Sequence, residues 1–191
     1  MPRPTGGGGC QESSLAHYCT REGAIKLLRQ HRHYLEMLPS LRRPEQSLIT
    51  IPLPLIRVRH RLPSTGGSKD IIRQTIQLPC DLAIIMCDPE WKVKLGAEII
   101  IFIHRPGEDL SDLLYRWRTT QIHLDKEYEW LMPPKDEHMF SEGADQVHPL
   151  FVLFENSPTR IRKGLAGSYL PNVVDTHFEV FSDEELLKKI I

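Results

Sequence analysis

The centre of the chain carries the strongest hydrophobic pattern. Leu82–Cys87 is an unbroken apolar run that ends at Asp88-Pro89, a turn signal. A short apolar run between turn signals is typical of a strand covered on both faces. Ile99–Ile103 is a second apolar run, rich in β-branched residues. We therefore predict two buried strands here, with a bulge or bend at Gly96 before the second one.

A helix is predicted directly after these strands, over residues 109–119. Its apolar positions recur at i, i+3, i+4 and i+7, as Leu110, Leu113, Leu114 and Trp117. Carboxylates crowd the start of this segment and arginines its end, which is the arrangement that the helix dipole favours. We expect the apolar face of the helix to pack on the two central strands.

Two further helices are predicted near the ends of the chain. The first spans 21–38, with Thr20 as its N-cap, and Pro39 ends it. Basic residues lie mostly off its apolar stripe, namely Lys26, Arg29 and Arg32. The second spans 183–191 and begins with a capping-box pattern.

A strand rich in arginine precedes the central strands, within residues 47–62. Pro52 and Pro54 remove two backbone donors, which favours an edge strand or an extended arm. The apolar parity changes near Leu55-Ile56, so we predict a bulge there. Three arginines then share one side of the strand: Arg57, Arg59 and Arg61.

The remaining patterns complete an α+β domain. Shorter strands are predicted at 72–78, 121–124, 127–132, 150–154 and 174–180, and long loops at 133–148 and 156–172. The expected fold is a mainly antiparallel sheet of six to eight strands with about three helices packed on it. We expect residues 1–19, which include four consecutive glycines, to be a flexible tail, and 20–191 to be a single globular α+β domain.

The charge of the chain is unevenly placed. Residues 1–78 hold 12 Lys and Arg against 5 Asp and Glu, whereas residues 79–191 hold 12 against 20. This asymmetry indicates a basic surface for an anionic partner, either nucleic acid or a lipid-headgroup surface. Alternatively, the two halves face each other within the fold or within a homo-oligomer.

Composition also sets the expected environment. No apolar run approaches the roughly 20 residues of a membrane-spanning helix, so we expect no transmembrane segment. The first residues contain no secretory signal pattern, and the four cysteines are therefore expected to be reduced thiols. A cytoplasmic or nuclear location follows from these two expectations.

Candidate chemistry is sparse. No histidine or cysteine pairs have zinc-finger spacing, and neither a nucleotide-binding glycine motif nor a nucleophile elbow occurs, so no cofactor or metal is expected. His104, which ends the second central strand beside Arg105, is the most suggestive candidate for a catalytic base.

These observations favour a non-enzymatic structural or interaction protein, with a basic surface for an anionic partner or for self-association. Its layout would suit a small viral matrix or accessory protein, by analogy of architecture alone. The alternatives are an RNA-binding protein and a small cytosolic enzyme using His104. The predicted binding residues are Arg57, Arg59, Arg61, Arg42, Arg43, Lys26, Arg29 and Arg32.

Overall fold

A computed structural model describes residues 16–30, 47–61, 71–88, 93–137, 146–170 and 173–176. Within these residues the longer α-helices are α1 (Arg21–Gln30), α2 (Leu110–Leu124) and α3 (Thr159–Gly167), and a short 3-10 helix spans Pro134–Asp136. Residues 16–18 are also helical. The strands are β1 (Leu48–Pro52), β2 (Leu55–Arg61), β3 (Ile71–Gln77), β4 (Leu82–Asp88), β5 (Val93–Ile103), β6 (Tyr128–Trp130), β7 (Gln146–Phe154) and β8 (Val173–Thr176).

The strands form two sheets. A five-stranded sheet has the order β1-β4-β5-β7-β8, and a three-stranded sheet has the order β3-β2-β6. Neighbours that follow closely in sequence pair antiparallel, as β4 does with β5 and β2 with β3. β7 pairs parallel with both β5 and β8, because the chain crosses over through α2 and then through α3.

The five-stranded sheet is buried on both faces, and each face has its own core. Along β4, alternate residues point to opposite sides. One side joins the packed residues of α1, chiefly Ala24, Leu27 and Leu28. The other side joins α2, α3 and the inner face of the three-stranded sheet, which contributes Ile56, Val58, Tyr128 and Trp130. The three-stranded sheet and α1 therefore lie on opposite sides of the five-stranded sheet, which we call the central sheet.

The α+β class is confirmed, with mostly antiparallel pairing and eight strands in the described residues. The prediction of one sheet needs correction, because the strands divide between two sheets and the larger sheet is mixed. The division occurs at Leu53, not at a bulge near Leu55-Ile56. Leu53 has φ 44°, a left-handed conformation that is unusual for leucine, and the chain leaves one sheet here for the other.

The helix predicted over residues 109–119 is confirmed and is longer than expected. Asp109 is its N-cap and forms a capping box with Asp112. Residues 121–124, predicted as a strand, are instead the last turn of α2. Trp117 packs as predicted against the central sheet, with its ring edge-on to Phe102 at 5.8 Å between ring centroids.

Two other predictions are corrected. The expected loop over 156–172 contains α3, whose buried face is limited to Ile161 and Leu165, too few positions for a clear helical period. β7 begins at Gln146, inside the expected loop over 133–148. The bulge or bend predicted at Gly96 agrees with the pairing of β4 and β5, whose register shifts between the pairs Ile85–Glu98 and Cys87–Lys94.

The start of the first predicted helix is confirmed. The Thr20 hydroxyl accepts a hydrogen bond from the Gly23 N–H at 3.0 Å, as an N-cap does. Tyr18 is buried in the core beneath α1, so residues 16–19 belong to the packed fold. The predictions for residues 1–15, 31–38, 177–180 and 183–191 lie outside the described residues.

Candidate functional site: a basic sheet face

The outer face of the three-stranded sheet brings together three arginines. β2 alternates, so that Ile56 and Val58 point into the core while Arg57 and Arg59 point outward. In the β2–β3 register Arg59 lies opposite Arg73, which is also exposed. We call the surface formed by Arg57, Arg59 and Arg73 the basic sheet face.

A single glutamate of β6 borders this face and pairs with two of its arginines. Glu129 lies opposite Arg57 in the β2–β6 register and accepts a hydrogen bond from it. Its other carboxylate oxygen is 2.9 Å from Arg59 Nη2. The hydrogen bond from Arg59, followed by that from Arg57, lowers the pKa of Glu129.

The two paired arginines keep part of their side chains in solvent. The exposed fraction is 36% for Arg57 and 41% for Arg59, against 17% for Glu129. Each guanidinium group has five N–H donors, and the contact with Glu129 uses only a part of them. The remaining donors are available to a further oxygen ligand.

The other predicted binding residues do not join this surface in the described part of the chain. Lys26 is exposed on α1, across the central sheet, with its Nζ 3.6 Å from Glu22. Arg61 is the last residue of β2 and Arg29 lies in α1, but the structure does not describe the side chain of either. Arg32, Arg42 and Arg43 are wholly outside them.

Arg73 is the member of the basic sheet face that the sequence prediction missed. It is the only charged residue of β3, and a single charge on a strand gives no strong pattern. The hairpin register that sets it beside Arg59 would have identified it.

His104 lies at the end of β5 with both ring nitrogens engaged. Its Nδ1 is 3.0 Å from Ser157 Oγ, and its Nε2 is 3.1 Å from the Glu108 carbonyl oxygen. Ser157 Oγ also accepts a hydrogen bond from the Phe154 N–H at 2.9 Å. Only 5% of His104 is exposed, so the imidazole braces the ends of β5 and β7 against the start of α2.

A buried ion cluster lies beside His104. Arg116 of α2 donates to Asp81 at 2.5 Å and to Glu108 at 3.1 Å. Its Nε–H also donates to the Pro79 carbonyl at 3.0 Å. Burial opposes the charge of Arg116, but the two carboxylates outweigh this cost and raise the pKa of the guanidinium.

Asp81 holds the cluster to the sheet. Its second carboxylate oxygen accepts from Arg105 at 3.1 Å, and the oxygen bound by Arg116 also accepts from the Ile103 N–H at 2.6 Å. The charged side chains of Asp81, Glu108 and Arg116 are thus buried with Arg116 as the partner of both carboxylates, which is how proteins tolerate buried charge.

A third buried carboxylate links the two sheets. Glu98 of β5 is fully buried and accepts from Tyr128 Oη at 2.8 Å and from Trp130 Nε1 at 2.5 Å. Both donors belong to β6. The contact therefore ties the edge of the three-stranded sheet to the centre of the five-stranded one.

The described residues show no group of His, Cys, Asp and Glu that could hold a metal ion. Cys19 and Cys80 are free thiols. Burial raises the pKa of Cys80, which disfavours the reactive thiolate. Among the described helices, none has both the length and the apolar character needed to cross a bilayer.

Comparison with known proteins gives no relative for this chain: no protein-family model, no curated protein and no solved structure matches it.

Proposed function

We propose that this chain is a non-enzymatic interaction protein that binds an anionic, phosphate-bearing partner through the basic sheet face. The observation that supports this proposal is the grouping of Arg57, Arg59 and Arg73 on one outward surface of a packed sheet. A packed sheet holds the backbones of the three arginines at fixed spacing, and Glu129 also orients the side chains of Arg57 and Arg59, which limits the ordering needed on binding.

Arginine suits this role because its planar group donates hydrogen bonds in a fork that matches phosphate oxygens. Glu129 positions Arg57 and Arg59 without fully covering them. Aromatic side chains do not interleave with the three arginines along β2 and β3, so base stacking is not expected. The proposed contact is therefore with the phosphates of the partner and carries little sequence preference.

The non-enzymatic part of the proposal is supported by the buried charged groups around Arg116 and by His104, whose hydrogen-bond partners lie inside the fold. Arg116 uses its donors on Asp81, Glu108 and backbone carbonyls. His104 has partners on both ring nitrogens. Groups that are satisfied within the fold stabilise it, and they leave no donor or acceptor aimed at a substrate.

Binding measured as a function of salt tests the proposal. We expect wild-type protein to bind single-stranded RNA or vesicles with anionic headgroups, with an affinity that falls steeply with salt. Replacing Arg57, Arg59 and Arg73 together with glutamine should lower the slope of log affinity against log salt by roughly one unit per lost phosphate contact.

Lys26→Gln tests whether the salt dependence belongs to the basic sheet face, because it removes another of the predicted binding cations, which lies on the opposite side of the central sheet. It should leave the slope unchanged. Comparing RNA, anionic vesicles and zwitterionic vesicles identifies the source of the phosphate. A folded triple variant whose affinity and salt slope for RNA and for anionic vesicles equal those of wild type would contradict the proposal.

One observation favours a second candidate, an enzyme that uses His104. The 3.0 Å contact between Ser157 Oγ and His104 Nδ1 has the length of a nucleophile–base pair. If Ser157 is a nucleophile, a fluorophosphonate reagent should label it, and Ser157→Ala should abolish the labelling. The absence of labelling on Ser157 in the folded protein would exclude this candidate.

A further inference from the structure

The outward edge of β3 presents an unpaired row of backbone groups within the described structure. Antiparallel strands bond through alternate residues. The odd residues of β2 bond to β6, as the bonds from the Arg59 N–H to Glu127 and from the Leu131 N–H to Leu55 show. The even residues of β2 therefore bond to β3, as does the preceding Pro54, which accepts from the Leu78 N–H.

The odd residues of β3 consequently point their backbone groups away from β2. These residues are Ile71, Arg73, Thr75 and Gln77. No strand of the described residues pairs with them, since β3 ends the order of its sheet. The edge is seven residues long.

This edge lacks the features by which proteins protect exposed strands. Protected edges are short, or carry proline, or bear several charges. The opposite edge of the same sheet, β6, has three residues, and β1 of the larger sheet ends in proline. β3 contains no proline, and Arg73 is its only charge.

The strand is complementary to itself in one register. Pairing two copies antiparallel about Gln74 places Arg73 of each opposite Thr75 of the other, so no two arginines lie directly opposite. Each of the four odd-numbered residues of one copy then lies opposite an odd-numbered residue of the other copy. The backbone N–H and C=O groups of the two residues point at each other and can form hydrogen bonds. A register centred on Arg73 would oppose like charges, which is unfavourable, and would leave part of the edge unpaired.

We propose that two copies of this chain associate through their β3 edges, about a two-fold axis at Gln74. The two three-stranded sheets then form one continuous sheet of six strands. Directly opposite residues of antiparallel strands point to the same side, so the two basic sheet faces lie on one surface. This inference goes beyond the proposed anion binding and does not depend on it.

The dimer should be weak. A ladder of seven residues is about 23 Å long and buries less surface than a permanent dimer interface. We expect a dissociation constant of roughly 1–100 μM, because a small interface leaves little free energy after the cost of association. Sedimentation velocity across roughly that range of concentrations should show a reversible monomer–dimer equilibrium.

Thr75→Pro tests the use of the edge. Its N–H points away from β2, so proline at this position removes a donor of the proposed interface and none of the β2–β3 ladder. We expect the variant to be a folded monomer at every concentration. Thr75→Ala is the matched control, because it keeps the N–H and should dimerise within about threefold of wild type.

Charges at position 75 test the register and do not require proline. In the proposed register residue 75 of each copy lies opposite Arg73 of the other copy, so the dimer contains this pair twice. Thr75→Glu should therefore strengthen the dimer and Thr75→Lys should weaken it, each by about tenfold. Adding Arg73→Glu to Thr75→Lys should restore dimerisation. Residue 75 also lies opposite Arg57 of its own chain, so a charge at this position can change the stability of the monomer. The unfolding midpoint of each monomeric variant measures that effect separately.

Several results would overturn the proposal. Wild-type protein that stays monomeric throughout the concentration range would do so, and the edge would then be free for an extended peptide of another protein. A dimer that persists in folded Thr75→Pro would show that the interface lies elsewhere. If Thr75→Glu and Thr75→Lys weaken the dimer equally, the register about Gln74 is wrong.

Discussion

At the scale of single residues, the buried ion cluster is the feature that most constrains the molecule. Arg116 lies between Asp81 and Glu108, and all three side chains are nearly inaccessible to solvent. We expect Arg116→Met to lower the free energy of unfolding by about 3–5 kcal/mol, because it leaves the buried carboxylate of Glu108 without its cation and that of Asp81 with the half-exposed Arg105 alone. Urea denaturation measures this loss. Arg118→Met, on the exposed side of the same helix, should change stability by less than about 0.5 kcal/mol.

Glu129 gives a prediction for the dependence of stability on pH. The contacts from Arg59 and Arg57 lower its pKa in the folded protein, so the ionised carboxylate stabilises the fold. This contribution is present above the ordinary glutamate pKa and is lost as pH falls through the lowered folded value. Glu129→Gln should therefore be less stable than wild type at pH 7, by under about 1 kcal/mol, and the difference should shrink at pH 3. Thermal melts at both values measure it, with the exposed Glu137→Gln as a control.

What the sequence predicts at this scale is the side of a strand on which a residue lies. Period-two alternation correctly separated Arg57 and Arg59 from Ile56 and Val58. It did not predict that Glu129 would border these arginines, because cross-strand register depends on chain segments far apart in sequence. The same limitation applies to the buried ion cluster, whose members come from three different parts of the chain.

At the scale of elements, one close approach determines the start of α1. A Cβ atom built on Gly23 would lie 2.1 Å from the carbonyl oxygen of His17, a backbone atom that cannot easily move away. We expect Gly23→Ala to lower the free energy of unfolding by about 1–3 kcal/mol, despite the better helix propensity of alanine. Gly167→Ala in α3 meets no atom within 4 Å and should be neutral or slightly stabilising. Equal thermal midpoints for the two variants would contradict this reading of α1.

Elements with strong periodicity were predictable, and weakly patterned ones were not. The apolar positions of α2 repeat over two turns, and the predicted packing of Trp117 is confirmed. α3 has just Ile161 and Leu165 in its buried face and follows Pro158, so its sequence resembles a loop. Its formation depends on the surface that α2 and the central sheet provide, which is a tertiary effect on local structure.

At the scale of the whole molecule, the division into two sheets was the feature that local patterns could not supply. The sequence around Pro52 and Pro54 indicated an interrupted strand, but an interruption is compatible with a bulge or with a change of sheet. The unusual conformation of Leu53 and the packing of Trp130 against the central sheet show that the chain changes sheet here. Both depend on contacts across the fold.

The two sheets should nevertheless unfold together, because they share one core. Ile56 and Trp130 of the three-stranded sheet belong to the same cluster of buried residues as Phe102 of the central sheet and Trp117 of α2. Glu98 adds hydrogen bonds between the sheets. Separating them would expose both apolar faces and leave a buried carboxylate without donors, so an intermediate with one sheet intact is unfavourable.

This cooperativity can be measured with the tryptophans as local probes. The chain has three tryptophans, so variants with the other two replaced by phenylalanine keep only Trp117 or only Trp130. We expect the fluorescence transition of each variant to coincide with its own far-ultraviolet circular dichroism transition in urea, and with a single denaturant slope. If fluorescence of Trp130 changes at a lower urea concentration than circular dichroism of the same variant, the three-stranded sheet detaches first. The shared core would then not couple the two sheets.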